Sequence, residues 1–220
     1  MTRDLKAPVT TPLPRPRPDG RALTGRFCRL ERLTLAHADA LFDAFGDEPD
    51  WDYLPYGPFD SVQSFRLWLV QTCLDRDPLF YAILKEGRPL GIAALMRIEP
   101  EHGVIEVGHI HHAPALQGSP ATTEAMALLM AHVFDDLGYR RYEWKCDAAN
   151  ARSRAAALRL GFQEEGTFRQ HLVLKGRNRD TQWFSILDGE WPTLKARFDR
   201  WLTPENFDAQ GRQVTRLSEV

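Results

Sequence analysis

Glu106 interrupts an apolar run, Val104-Ile105-Glu106-Val107-Gly108, that reads as a strand. A carboxylate in such a run is seldom surface decoration. It serves either as a proton acceptor or as the partner of a cation such as Arg97 on the preceding strand. Three imidazoles follow at His109, His111 and His112. On a strand His109 and His111 share a face, but no Cys, Asp or Glu spacing completes a ligand set, so no metal is expected. A ring beside a cleft would instead offer a proton acceptor near neutrality. The turn Gln117-Gly118-Ser119-Pro120 then opens a helix, with Ser119 suited to the N-cap and Pro120 to the first helical position. The backbone N–H groups of Gly118, Ser119, Ala121 and Thr122 there would make an anion site fit for a diphosphate. Asn150 leaves a later strand and caps another helix, with Ser153 one turn in. Trp51, Tyr53, Tyr56 and Phe59 crowd a proline-rich loop beside Asp50 and Asp52. That loop is either a wall of a binding pocket, its acids attracting a cationic amine, or satellite core.

These residues need a frame, and the chain of 220 residues is long enough for one domain with tails. Hydrophobic residues make up 43% and charged ones 26%, with a formal net charge of −2, so no global field favours nucleic acid or an anionic membrane. No apolar run approaches a membrane span and no secretory leader is evident, so a cytoplasmic location is expected. Cys28, Cys73 and Cys146 form no CxxC pair and read as reduced thiols. Residues 1–24, with Pro8, Pro12, Pro14, Pro16 and Pro18, read as a disordered, extended arm. The domain is expected over 25–202, with a polar tail at 203–220. Within it the pattern gives a strand at 27–35, a helix at 38–45 and a helix from 60 with an Asp60/Gln63 capping box. A hairpin at 79–98 and a strand at 104–111 come next. Then a helix at 120–137, a strand at 141–146, a helix at 150–160 and a strand from 162 alternate, before strands at 171–174 and 181–187 and a helix at 191–201. Meander strands first and alternating strands and helices later imply a mixed sheet flanked by helices, class α/β or α+β.

In this order, three blocks resemble the GNAT superfamily of N-acetyltransferases, and its RimJ/RimL-like branch most. They are Glu106-Val107-Gly108-His109-Ile110, Gln117 to Ala125, and Asn150-Ala151-Arg152-Ser153 with Arg159-Leu160-Gly161-Phe162. The resemblance implies a mostly antiparallel central sheet, acetyl-CoA as co-substrate, and direct acetyl transfer to a primary amine in a ternary complex. It places Gln117, Gly118, Ser119, Ala121, Thr122, Asn150 and Ser153 at the cofactor, with Glu106 as base and Ser153 as the thiolate's proton donor. It gives Trp51, Tyr53, Tyr56 and His109 to the acceptor. The family's loop reads Q/R-x-x-G-x-G/A, and here its fourth and sixth positions are Pro120 and Thr122. Pro120 removes a backbone donor. The tyrosine many members use as acid is replaced by Ala157. An α-amine, of a small molecule or of a peptide or protein N-terminus, suits a single modest base better than lysine. Its pKa of ~7.7–8.0 makes deprotonation at pH 7 cost about 1 kcal/mol, against about 4–5 kcal/mol for lysine. Relatives are often homodimers. The rival expectation is a GNAT-fold module that binds coenzyme A without catalysis, as a sensor or partner-binding subunit.

Overall fold

Two continuous apolar runs, joined at the Glu86-Gly87 turn and buried on both faces, pair as antiparallel strands in the first half of the chain. A computed structural model describes residues 8–46, 49–75 and 77–220. Its single sheet contains β1 (Leu23–Thr24), β2 (Arg29–Arg32), β3 (Leu79–Lys85), β4 (Arg88–Glu99), β5 (Val104–His112), β6 (Arg141–Asp147), β7 (Gln163–Leu174) and β8 (Arg177–Leu187). The spatial order is β1-β2-β3-β4-β5-β6-β8-β7. Every neighbouring pair is antiparallel except β5 and β6, so the expected mixed, mostly antiparallel sheet is present. Helices α1 (Ala38–Phe45) and α2 (Val62–Trp68) follow β2, and α3 (Pro120–Ala131) is the crossover between β5 and β6. Helix α4 (Ala151–Leu160) joins β6 to β7, and α5 (Trp191–Trp201) follows β8.

Two departures from regularity shape the middle of the sheet. First, the parallel ladder is short: Val104 to Val107 pair with Arg141 to Trp144, and beyond them each strand keeps only its outer neighbour. Second, β5 carries a bulge, because Ala94 faces Gly108 while Ile92 faces His111, and His109 sits there at φ +51°. A bulge bends its strand and re-aims side chains. Together they part β5 from β6.

Apolar side chains of β6 alternate with charged ones. Tyr142 lies against Phe134 beyond α3, and Trp144 bonds to Ser153 of α4. Glu143, Lys145 and Asp147 therefore occupy the other face. The α2 cap is made by Ser61 and Ser64, not by Asp60 and Gln63. In the N-terminal segment Arg15 Nε donates to the Gly138 carbonyl and its backbone N–H to Pro100. The segment 203–220 buries Leu217 and Asn206 and packs Phe207 edge-to-face with Phe27 and Trp201.

Candidate active site

Where β5 and β6 part, one cavity of about 630 Å³ passes through the sheet. On the helix side its wall includes Gln117, Gly118, Thr122, Asn150, Ser153 and Arg159. On the opposite side it is bounded by Tyr53 to Pro55 of the loop and Leu172 to Leu174 of β7, with Glu106, His109 and Lys145 between.

The start of α3 differs from expectation in one detail. Ser119 occupies the N-cap and Pro120 follows, but the hydroxyl donates to the Leu116 carbonyl at 2.7 Å instead of capping the helix. The serine N–H also bonds to Leu116 and that of Thr122 to Ser119, whereas no bond is made by the N–H of Gly118 or Ala121. Gly118 lies at φ +68°, a conformation glycine adopts without strain. Ser119 and Ala121 stand behind the cavity wall. Gln117 reaches it while its side-chain amide donates to the His112 carbonyl at 2.9 Å.

Asn150 caps α4, its Oδ1 accepting the Ser153 N–H at 3.0 Å. Ser153 Oγ in turn accepts the Trp144 indole N–H at 3.0 Å, which leaves the hydroxyl proton to be donated. Cys146 lies beside it in the cavity, its thiol pushed up by burial and only partly offset by the bond from Ser153.

Glu106 is 3% exposed and doubly paired: Oε2 accepts from Arg97 Nη1 at 2.6 Å and from Lys145 Nζ at 2.7 Å. Lys145 also meets Glu143 at 2.8 Å and lies 3.9 Å over the Trp183 ring. The expected alternative for Glu106, a partner for Arg97, is thus realised, and Lys145 is a second partner that sequence reading missed. Glutamate and lysine alternating at 143 and 145 on a strand were the available signal.

His109 Nδ1 is 3.0 Å from the Tyr56 hydroxyl, and burial with the nearby Arg97 charge pushes the ring down to about 4. His111 and His112 are also pushed down to about 4, by burial above all. Among the described residues no cluster of three His, Cys, Asp or Glu side chains is placed to hold a metal ion. Of the aromatic loop, Tyr53 lines the cavity. Trp51 is buried against Phe45, Phe59 and His111, and Tyr56 packs on Trp68. The Asp50 side chain lies outside the described residues. Lys175, at the β7–β8 turn, donates to the carbonyls of Trp51 and Gly57 at 2.7 and 2.6 Å, tying the hairpin to that loop. Nothing in the sequence marked this tie.

Residues 28–163 match the family model described as "Acetyltransferase (GNAT) domain". A GCN5-related N-acetyltransferase structure from Brucella melitensis superposes with a TM-score of 0.92 at 47% identity, over 96% of this chain and 98% of that one. A ribosomal-protein-serine acetyltransferase of Escherichia coli is 30% identical over 111 residues, 50% of this chain and 62% of its own. At the level of fold alone, the microcin C7 self-immunity acetyltransferase MccE, solved with acetyl-CoA and AMP, gives a TM-score of 0.67 at 21% identity, covering 74% and 93%.

Proposed function

This chain belongs to the GNAT acetyltransferase family, and on that premise we propose that it moves an acetyl group from acetyl-CoA directly to a primary amine within a ternary complex. The observation that carries the reading is a cavity whose wall is drawn from both sides of the sheet where β5 and β6 part. Two reactants entering from opposite faces would meet there, and a direct transfer requires that meeting.

The residues of the helix side fit coenzyme A. The N–H of Gly118, unbonded among the described residues, sits in the cavity wall at the positive end of α3, suited to a diphosphate. Arg159 has no acidic partner, donating only to the Thr123 hydroxyl at 2.9 Å. Burial and the Arg197 charge lower its pKa, so a phosphate beside it would relieve both costs. Met126, Ala156 and Leu160 supply apolar wall for a pantetheine arm. When bound, acetyl-CoA supplies the activated acyl group as a thioester.

The chain's own residues then hold and move protons. Glu106 keeps Oε2 for its two cations, while Oε1 lies toward Gly108, where an added Cβ would stand 3.7 Å away. That oxygen is the one left to take an amine proton through water. Ser153 accepts from Trp144 and lies against the Cys146 thiol, and its hydroxyl proton would pass from that contact to a departing thiolate. Ala157 is fully buried and lines no part of the cavity, so the donor role falls to Ser153. Tyr53 and the β7 wall face the acceptor, and the tie from Lys175 holds the β7–β8 turn against the loop. The acceptor we propose is the α-amine of a small molecule or of a peptide N-terminus.

Thiol release with acetyl-CoA and matched α- and ε-amino acceptors tests the reading. Intersecting initial-rate lines and α-amine preference are expected; parallel lines or lysine preference would refute it. The double pairing of Glu106 favours one second reading, a cleft that binds coenzyme A without turnover. Calorimetric binding with no thiol release from any amine would establish it.

A further inference from the structure

Five cations line the cavity: Arg97, Lys145, Arg152, Arg159 and Arg179. Arg97 and Lys145 are paired to Glu106, and Arg152 also has a partner. Two guanidinium groups have no acid, and they lie on different elements. Arg159 on α4, bonded to Thr123 of α3, belongs to the helix side. Arg179 belongs to β8, directly opposite Leu172 of the hairpin that walls the other side. Its side chain makes no hydrogen bond or ion pair with any described residue, and its Nε is shielded from solvent with no partner.

An unpartnered guanidinium with a shielded donor is costly unless a ligand completes it. Nearby acids do not: Glu106 is held by two cations, and Asp147 Oδ1 accepts the Ala149 N–H at 2.8 Å. Asp180, one residue along the strand, spends Oδ1 on the Gln170 N–H and the Asn178 amide. Among the described residues Arg179 is thus a cation of the cavity wall that no acid meets, Asp147 on the same wall turning Oδ1 to the backbone instead.

We infer that Arg179 reads an anionic group on the acceptor, so that the preferred substrate is an amine carrying a carboxylate, such as an amino acid or a peptide whose second residue is acidic. The inference rests on the acetyl-transfer reading and adds the acceptor's chemistry. Guanidinium and carboxylate match as a bidentate pair, a geometry Lys or Gln does not reproduce.

The test uses the full chain with acetyl-CoA and matched acceptors: serine against serinamide, and Ser-Asp-Ala against Ser-Asn-Ala. The expected result is kcat/KM at least about tenfold higher for the acid of one or both pairs, the size of one charge-assisted bond. In Arg179→Gln that ratio should collapse toward one, and Arg179→Lys should keep part of it. Calorimetry should find coenzyme A affinity within about threefold of the parent protein. Equal rates for acid and amide, turnover of amides alone, or no turnover of either acid overturns the inference. So does weakened coenzyme A binding in Arg179→Gln, which would assign the residue to the cofactor. Failure of acetyl-CoA to bind the parent protein would instead sink the transfer reading beneath it.

Discussion

Glu106 accepts from Arg97 and Lys145 through one oxygen, and the burial of the three groups is unequal. The Arg97 side chain is 50% exposed, whereas those of Lys145 and Glu106 are 7% and 4% exposed. The bond to Lys145 is therefore the one that water screens least. Glu106→Gln keeps the shape and removes the charge, leaving Lys145 with Glu143 and Arg97 with no acid. Turnover should fall roughly tenfold or more, as for loss of a proton acceptor, with coenzyme A affinity nearly kept. Stability should fall by about 1–3 kcal/mol, below the usual cost of breaking a buried pair because Lys145 retains one partner. Steady-state rates and urea denaturation on the same preparation separate the two effects. An unchanged rate would leave Glu106 a purely structural ion. Arg97 was legible as its partner from the hairpin pattern. Lys145 was not, since only the short parallel register between β5 and β6 brings it across.

Helix α3 is anchored at its first turns from far away in the chain. Glu124, 5% exposed, accepts the N–H groups of Arg26, Phe27 and Cys28 at 2.7, 2.6 and 2.8 Å. Gly25 sits so close to that carboxylate that an added Cβ would collide with it. The helix start that offers its amides to a diphosphate is thus fixed against the β1–β2 turn. Glu124→Gln puts an NH2 where a charged acceptor stood, and should cost about 2–3 kcal/mol by denaturation, with weaker coenzyme A binding. Retention of both would show that α3 is held by packing alone. At the other wall, Lys175→Met frees the hairpin from the loop. The acceptor KM should rise several-fold, more than kcat falls, while stability changes by less than about 1 kcal/mol because the tie is surface-accessible. A parallel loss in kcat would make Lys175 part of the chemistry. Elements with long apolar runs bounded by turn or cap residues were legible, including the β3–β4 hairpin and α3. Strand β7 was expected as two runs, one from 162 and one at 171–174, but is one strand, Gln163–Leu174, whose register against β8 shifts between Phe168 and Leu172 where the polar residues 169–171 hid its continuity. The bulge at His109 was hidden too, because apolar residues continue straight through it. The strand expected at 27–35 is shorter, Arg29–Arg32, and a further strand at Leu23–Thr24 lies in the segment expected as an arm, across the turn that Glu124 holds.

Across the whole molecule the cavity and the core share one boundary, the histidine-bearing end of β5. His111 is 2% exposed, packed 4.4 Å from Phe45 and 4.2 Å from Trp51 between ring centroids, and neither ring nitrogen has a partner. Held at about 4, it stays neutral in the fold through the range in which an unfolded histidine, near 6.5, takes up a proton. The unfolded chain then binds more protons than the native one, so stability rises with pH across this window. The contribution is intact above about 6.5, declines as pH falls toward 4, and is spent below it. For this one ring the full swing is on the order of 3 kcal/mol. His109 and His112, also held at about 4, act in the same direction and window. Many carboxylates contribute to acid lability as well, but they cancel when a variant is compared with its parent. His111→Leu should therefore lose less stability than the parent protein between pH 7 and pH 4, by a margin of about 3 kcal/mol for one proton no longer taken up on unfolding. Urea denaturation at a series of pH values measures it. Parallel curves for the two proteins would mean that His111 is not held neutral by its aromatic cage, and that acid sensitivity enters from the cavity side of the strand.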